Sequence, residues 1–244
     1  MTAPRKPGRA IGAALIAAAI ALTVVASAGP TVADETASPA DSLAAAKARV
    51  THRIDLRLAA LAHLDRRADR AEHLSAEHRD TLAVLIDENV AGLTELRGQV
   101  AEASTREQLR ADVKSMVQDH RVFVLVLPQV RLTLVADREL AVVERLGQVH
   151  DRLAKLIEKA EADGRDTRRA AESIDAMQAQ LDAATEDVAG QVDRLLAIEP
   201  GPDGPAIRSA VDEIRESLRA ARQDLRDAIG IARRIRALLR HSAT

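Results

Sequence analysis

The sequence predicts an all-α protein: an elongated, antiparallel up-down bundle of five or six long helices with coiled-coil-like packing. Three observations predict it. Apolar residues recur at steps of three and four over most of the chain, the spacing of one helix face. The patterns run for about 25 to 35 residues each, or roughly 40 to 50 Å at 1.5 Å per residue. The breaks between them are short and polar or rich in Gly and Pro, which makes neighbouring helices antiparallel.

Residues 1–33 stand apart from this body. Arg5, Lys6 and Arg9 precede an apolar and small-residue run from Ala10 to Val25, interrupted only by Thr23. Two small-x-small triplets follow, Ala26-Ser27-Ala28 and Thr31-Val32-Ala33. This is the order of a secretory signal peptide. Cleavage after Ala33 is favoured because Pro30 ends the apolar helix just before it, with Ala28 as the alternative. A run this short is at the lower edge for a membrane span of about 20 residues. Its loss removes three basic and no acidic residues, taking the formal charge from −2 to −5. Residues 34–40 read as a flexible leader.

A single helical-bundle domain is expected over residues 41–240. Asp41 or Ser42 can cap a first helix carrying Leu43, Val50, Ile54, Leu61, Leu64 and Ala68 to about His73. Ser75 restarts the chain, and Leu82, Ile86, Leu93, Leu96 and Val100 form the second stripe. Asn89 lies either within that stripe or at its edge. Ser104 and Glu107 have the spacing of a capping box, followed by Leu109, Val113, Met116, His120, Phe123 and Leu127. A fourth pattern runs through Leu140, Val143, Leu146, Leu153 and Ile157 to the helix-ending Gly164. Ile174 to Leu195 forms a nearly regular heptad series. "EPGPDGP", residues 199–205, is the strongest turn signal, with Pro205 placed for the first turn of a last helix. Residues 241–244 are a tail.

One stretch resists this scheme. Val122 to Leu127 are six consecutive apolar residues that include Phe123, the chain's single aromatic, and Pro128 follows. Apolar character on several faces predicts enclosure on several sides. Pro128 lacks the N–H that would bond the carbonyl of Val124, so a kink or helix restart is expected there. The segment reads as the most buried crossing of the bundle. His120, Phe123, Leu127 and Pro128 are its candidate ligand-binding residues.

Composition narrows the function. Trp, Tyr and Cys are absent, which removes stacking platforms, disulfides and thiol chemistry. The charge is too balanced for a nucleic-acid partner. His73 and His78 are five apart and would point about 140° away from each other on one continuous helix. A break at Ser75 could bring them together, but nothing requires it, and they read as solvated histidines. No catalytic motif is recognisable, and no cofactor is expected. Arg233, Arg234, Arg236 and Arg240 make the last helix end basic, complementing its dipole or meeting an anionic surface.

Arg121-Val-Phe-Val-Leu-Val-Leu-Pro128, with the "GRDT" stretch leading to Met177, resembles a group of secreted all-helical proteins of actinobacteria. The resemblance implies export and a helical body, and it brings no activity or functional residues. The expected role is that of an exported, non-catalytic protein acting through its surface. Its setting would be the cell envelope or the extracellular space, against an envelope protein or polymer, with self-association through the heptad seams. A carrier of an apolar ligand near Phe123 is the alternative; a metal-binding stress protein or enzyme is the third reading.

Overall fold

The structure, a computed structural model, describes residues 39–241. The export segment with Ala28 and Ala33, most of the leader and residues 242–244 lie outside them. The described residues form an all-α bundle without strands. The helices are α1 (Pro39–Asp69), α2 (Ala76–Glu102), α3 (Arg106–Gln118), α4 (Leu127–Ala162), α5 (Arg168–Val188), α6 (Gln191–Leu196) and α7 (Gly204–His241). A π-helical turn, Val122–Val126, leads into α4.

The helix ends follow local chemistry. α1 starts at Pro39, two residues before the predicted cap; proline is well suited to a first helical position, where its missing N–H costs nothing. Ser75 caps α2 by accepting from the His78 N–H at 3.1 Å. The capping box of α3 falls one residue later than predicted. Thr105 accepts from the Gln108 N–H, and Gln108 Oε1 accepts from the N–H groups of Thr105 and Ser104. Gln108 wins over Glu107 because its side chain reaches two successive free N–H groups. Gly164, at φ 76°, ends α4 as expected. The heptad series from Ile174 to Leu195 is interrupted at Gly190, φ 68°, which divides it into α5 and α6. The stripe survives because Val192 and Leu195 stay buried.

Neighbours are antiparallel. Lys47 reaches the carbonyl of Ala101, and Arg97 meets Asp55, so α1 and α2 run in opposite directions. Arg165, just before α5, donates to the carbonyl of Leu239 near the end of α7. The predicted stripe residues of α2 and α5 are buried almost without exception, and α7 buries Ile207, Val211, Ile214, Leu218 and Leu225 at the same helical spacing.

The buried apolar residues form two clusters. One joins α1, α2 and α3 through Leu61, Leu82, Leu93 and Met116. The other joins α4, α5, α6 and α7 through Leu153, Met177, Ile214 and Ile235. The π turn lies between them: Val122 and Val126 enter the first cluster and Leu125 the second. Leu196 packs against both. This explains the unbroken apolar run, whose successive residues serve two cores facing different directions.

The break in this crossing precedes Pro128. Arg121 adopts φ 29° and ψ 40°, and the Leu127 N–H then bonds the carbonyl of Val122, five residues back. Pro128 sits in the first turn of α4. A proline ring clashes with the carbonyl four residues before it in a regular helix, and the widened π turn gives that ring room. Phe123 does not continue the buried stripe: it is 47% exposed, and the Arg57 guanidinium covers its ring at 5.0 Å. The extra residue of the π turn rotates Phe123 outward. Leu140, predicted on the stripe of α4, is also exposed. The first half of α4 buries Thr133, Asp137 and Glu139 instead.

Candidate functional site

The crossing opens into a cleft of about 340 Å³ between α2, the 119–126 segment, the start of α4 and the chain after α6. Leu85, Glu88 and Asn89 come from α2, one helical turn apart. Asp119, His120, Leu125 and Val126 come from the crossing. Gln129 comes from α4, and Leu196, Ile198, Glu199 and Pro200 from the segment at the end of α6 and after it.

His120 is half-buried against α2. A Cβ at Gly92 would stand 2.3 Å from His120 Cε1, so the absent side chain is what admits the ring. Burial pushes the imidazole below its usual 6.5; Asp119 opposes this and Arg57 adds to it. The ring lines the cleft, and in its neutral form it carries one donor and one acceptor nitrogen.

Gln129 is 2% exposed. Its Nε2 donates to the carbonyls of Leu195 at 3.0 Å and Ile198 at 3.1 Å. Two carbonyl partners fix the amide orientation, since a flipped amide would set oxygen against oxygen. Gln129 Oε1 is left buried and without a partner. Asn89 Nδ2 donates to the carbonyl of Leu85 at 2.9 Å, and its half-buried position beside the buried Ile86 and Leu93 puts Asn89 at the edge of its stripe.

The cleft wall after α6 is held by Arg121. Its guanidinium donates to the carbonyls of Gly201 and Pro202, the latter at 2.7 Å. A Cβ at Gly204 would lie 2.6 Å from Arg121 Nη1, so glycine is needed there to seat the guanidinium. Arg121 is 8% exposed. The Pro/Gly turn of residues 199–205 is thus both a helix connection and the receptacle of an arginine from the crossing.

Of the four predicted site residues, only His120 lines the cleft. Phe123 faces outward, Leu127 packs against the α1–α2–α3 cluster, and Pro128 is buried in the first turn of α4. Gln129, Asn89, Glu88 and Glu199 were not among the predicted site residues. The sequence marked Asn89 only for its place on the α2 stripe and Glu199 only as part of a turn.

A second polar centre lies where α2 meets α4. Asp137 Oδ1 stands 2.8 Å from His78 Nδ1, and its Oδ2 accepts from the Ser75 N–H at 2.8 Å. His78, read from sequence as a solvated histidine, is tied to a buried carboxylate. Ser, His and Asp meet here, but Ser75 Oγ accepts from the His78 backbone N–H. The Ser75 oxygen caps α2, and the His78 nitrogen bonded here faces Asp137 and not the hydroxyl, so these contacts join helices. Among the described residues, no three His, Asp or Glu side chains converge as metal ligands. No described helix is long and apolar enough to cross a membrane.

The chain matches no family model, no curated protein and no solved structure.

Proposed function

We propose that this chain is an exported, non-catalytic helical protein that works by binding, in the cell envelope or outside the cell, with the His120 cleft as its working surface. The observation that carries this reading is the cleft itself. It opens at the seam between two filled cores, and it combines apolar walls with fixed acceptors. Few convergent polar groups on an apolar wall are the usual make-up of a ligand site. Export is supported by the basic, apolar and small-residue order of residues 1–33.

Two measurements test it. Mass spectrometry of the chain recovered from an exporting host is expected to find a new N-terminus at Asp34 or Gly29. A retained Met1 contradicts export. A photo-crosslinking residue at position 88 is expected to yield a discrete adduct in the envelope fraction or medium, whereas one at position 140 does not. Equal labelling at both positions contradicts the cleft as the working surface.

A further inference from the structure

The polar groups lining the His120 cleft are almost all acceptors. Glu88, Asp119 and Glu199 contribute three carboxylates, and no Lys or Arg lines the cleft. The whole chain has 35 basic and 37 acidic residues, so this one-sided lining is local and does not follow from composition. Asn89 commits one Nδ2 hydrogen to the Leu85 carbonyl, and its Oδ1 is a further acceptor. The decisive group is Gln129, whose Oε1 is buried, fixed in orientation and unpartnered. An unmet buried acceptor is a standing cost to the fold, and a donor from a ligand relieves it.

We propose that the cleft binds a small organic cation, an aliphatic amine or guanidinium compound, whose N–H donors meet Gln129 Oε1 and the carboxylates of Glu88, Asp119 and Glu199. The alkyl part lies against Leu85, Leu125, Val126, Leu196 and Ile198. The volume of about 340 Å³ suits a short ligand. A bare divalent ion fits less well, because no three ligating side chains converge among the described residues. An anion meets three carboxylates. This ligand class rests on the reading of the chain as a binding protein.

The test is a calorimetric titration of the full chain with 1,5-diaminopentane and with agmatine, with 1,5-pentanediol and magnesium chloride as controls. Saturable one-to-one binding of an amine is expected at about millimolar concentration or below, with no saturable heat from the diol or from magnesium. The exposed pair Glu88→Gln and Glu199→Gln is expected to weaken binding about tenfold while leaving the fold intact. Gln129→Met is expected to weaken it by about the same factor, provided its melting stays cooperative. Asp119→Asn is the second single variant should Gln129→Met not fold. Absence of saturable amine binding overturns the proposal, as does equal binding of magnesium or undiminished binding by the Glu88/Glu199 double variant. A crosslink at position 88 without amine binding overturns only the ligand class. Loss of both overturns the cleft as a binding site.

Discussion

Arg121 Nη2 donates to the carbonyl oxygen of Pro202 at 2.7 Å, across 81 positions of chain. This contact ties the crossing between the two cores to the turn that starts the longest helix. It also accounts for the backbone of Arg121, a non-glycine residue in the left-handed region. Such a conformation costs about 1 kcal/mol or more and persists where surrounding contacts enforce it. The two guanidinium bonds and the seat at Gly204 are those contacts.

Arg121→Met is expected to destabilise the chain by about 1–3 kcal/mol, since it strands the carbonyls of Gly201 and Pro202. Gly204→Ala is expected to act in the same direction by displacing the guanidinium. In a double-mutant cycle by urea unfolding the two effects should be strongly non-additive. Full additivity would mean that the two residues do not form one unit.

Gly92 and His120 form a second coupled pair. Glycine inside a helix costs about 1 kcal/mol relative to alanine, yet a Cβ at position 92 meets the His120 ring. Gly92→Ala is expected to bring little gain or a loss in the native background. With His120→Ala in place it should stabilise by about 1 kcal/mol. Thermal unfolding of the four proteins measures this directly.

His120 also sets a pH dependence. Its folded value lies below 6.5, chiefly through burial. The unfolded chain therefore takes up the proton first as pH falls. Stability is expected to drop as pH falls through 6.5 toward the folded value, and to be flat in this group above 6.5. His120→Gln should remove that slope in chemical unfolding measured from pH 8 to pH 5.

Glu139 on α4 has the opposite sign. Burial raises its value above the usual 4.5, although Arg222 bonds its Oε1 from α7 at 3.0 Å and lowers it in part. Its Oε2 is buried and unpartnered. The folded state holds this proton more tightly, so stability is expected to fall as pH rises from 4.5 through the folded value. Glu139→Gln should abolish this slope. Arg222→Met is expected to cost about 1–3 kcal/mol near neutral pH, where it leaves the carboxylate buried without its cation. Calorimetric melting from pH 4 to pH 8 distinguishes the two variants.

Much of the bundle is legible in the sequence because helix faces are written locally. Leu82, Ile86, Leu93, Leu96 and Val100 lie at helical spacing and are buried as that spacing implies. Gly164 ends α4 through its own backbone freedom. The departures have non-local causes. Phe123 reads as core from its neighbours, but the π turn adds one residue to the register and turns it outward. Leu140 is exposed although Leu153 and Ile157 further along the same stripe are buried, while Asp137 and Glu139 are buried because Ser75, His78 and Arg222 arrive from other segments to meet them. The cleft was legible only at His120. Glu88, Gln129 and Glu199 come from three separate segments, and only the packing of α2, α4 and α6 brings them together.

The most direct test of the His120 cleft as the binding site is a proton–nitrogen NMR titration of the full chain with 1,5-diaminopentane, following the Gln129 side-chain amide and the His120 ring. Both are expected to shift together and saturate, while backbone signals of the exposed Phe123 and Leu140 stay in place. A titration that leaves Gln129 and His120 unmoved, or that shifts all four alike, contradicts it.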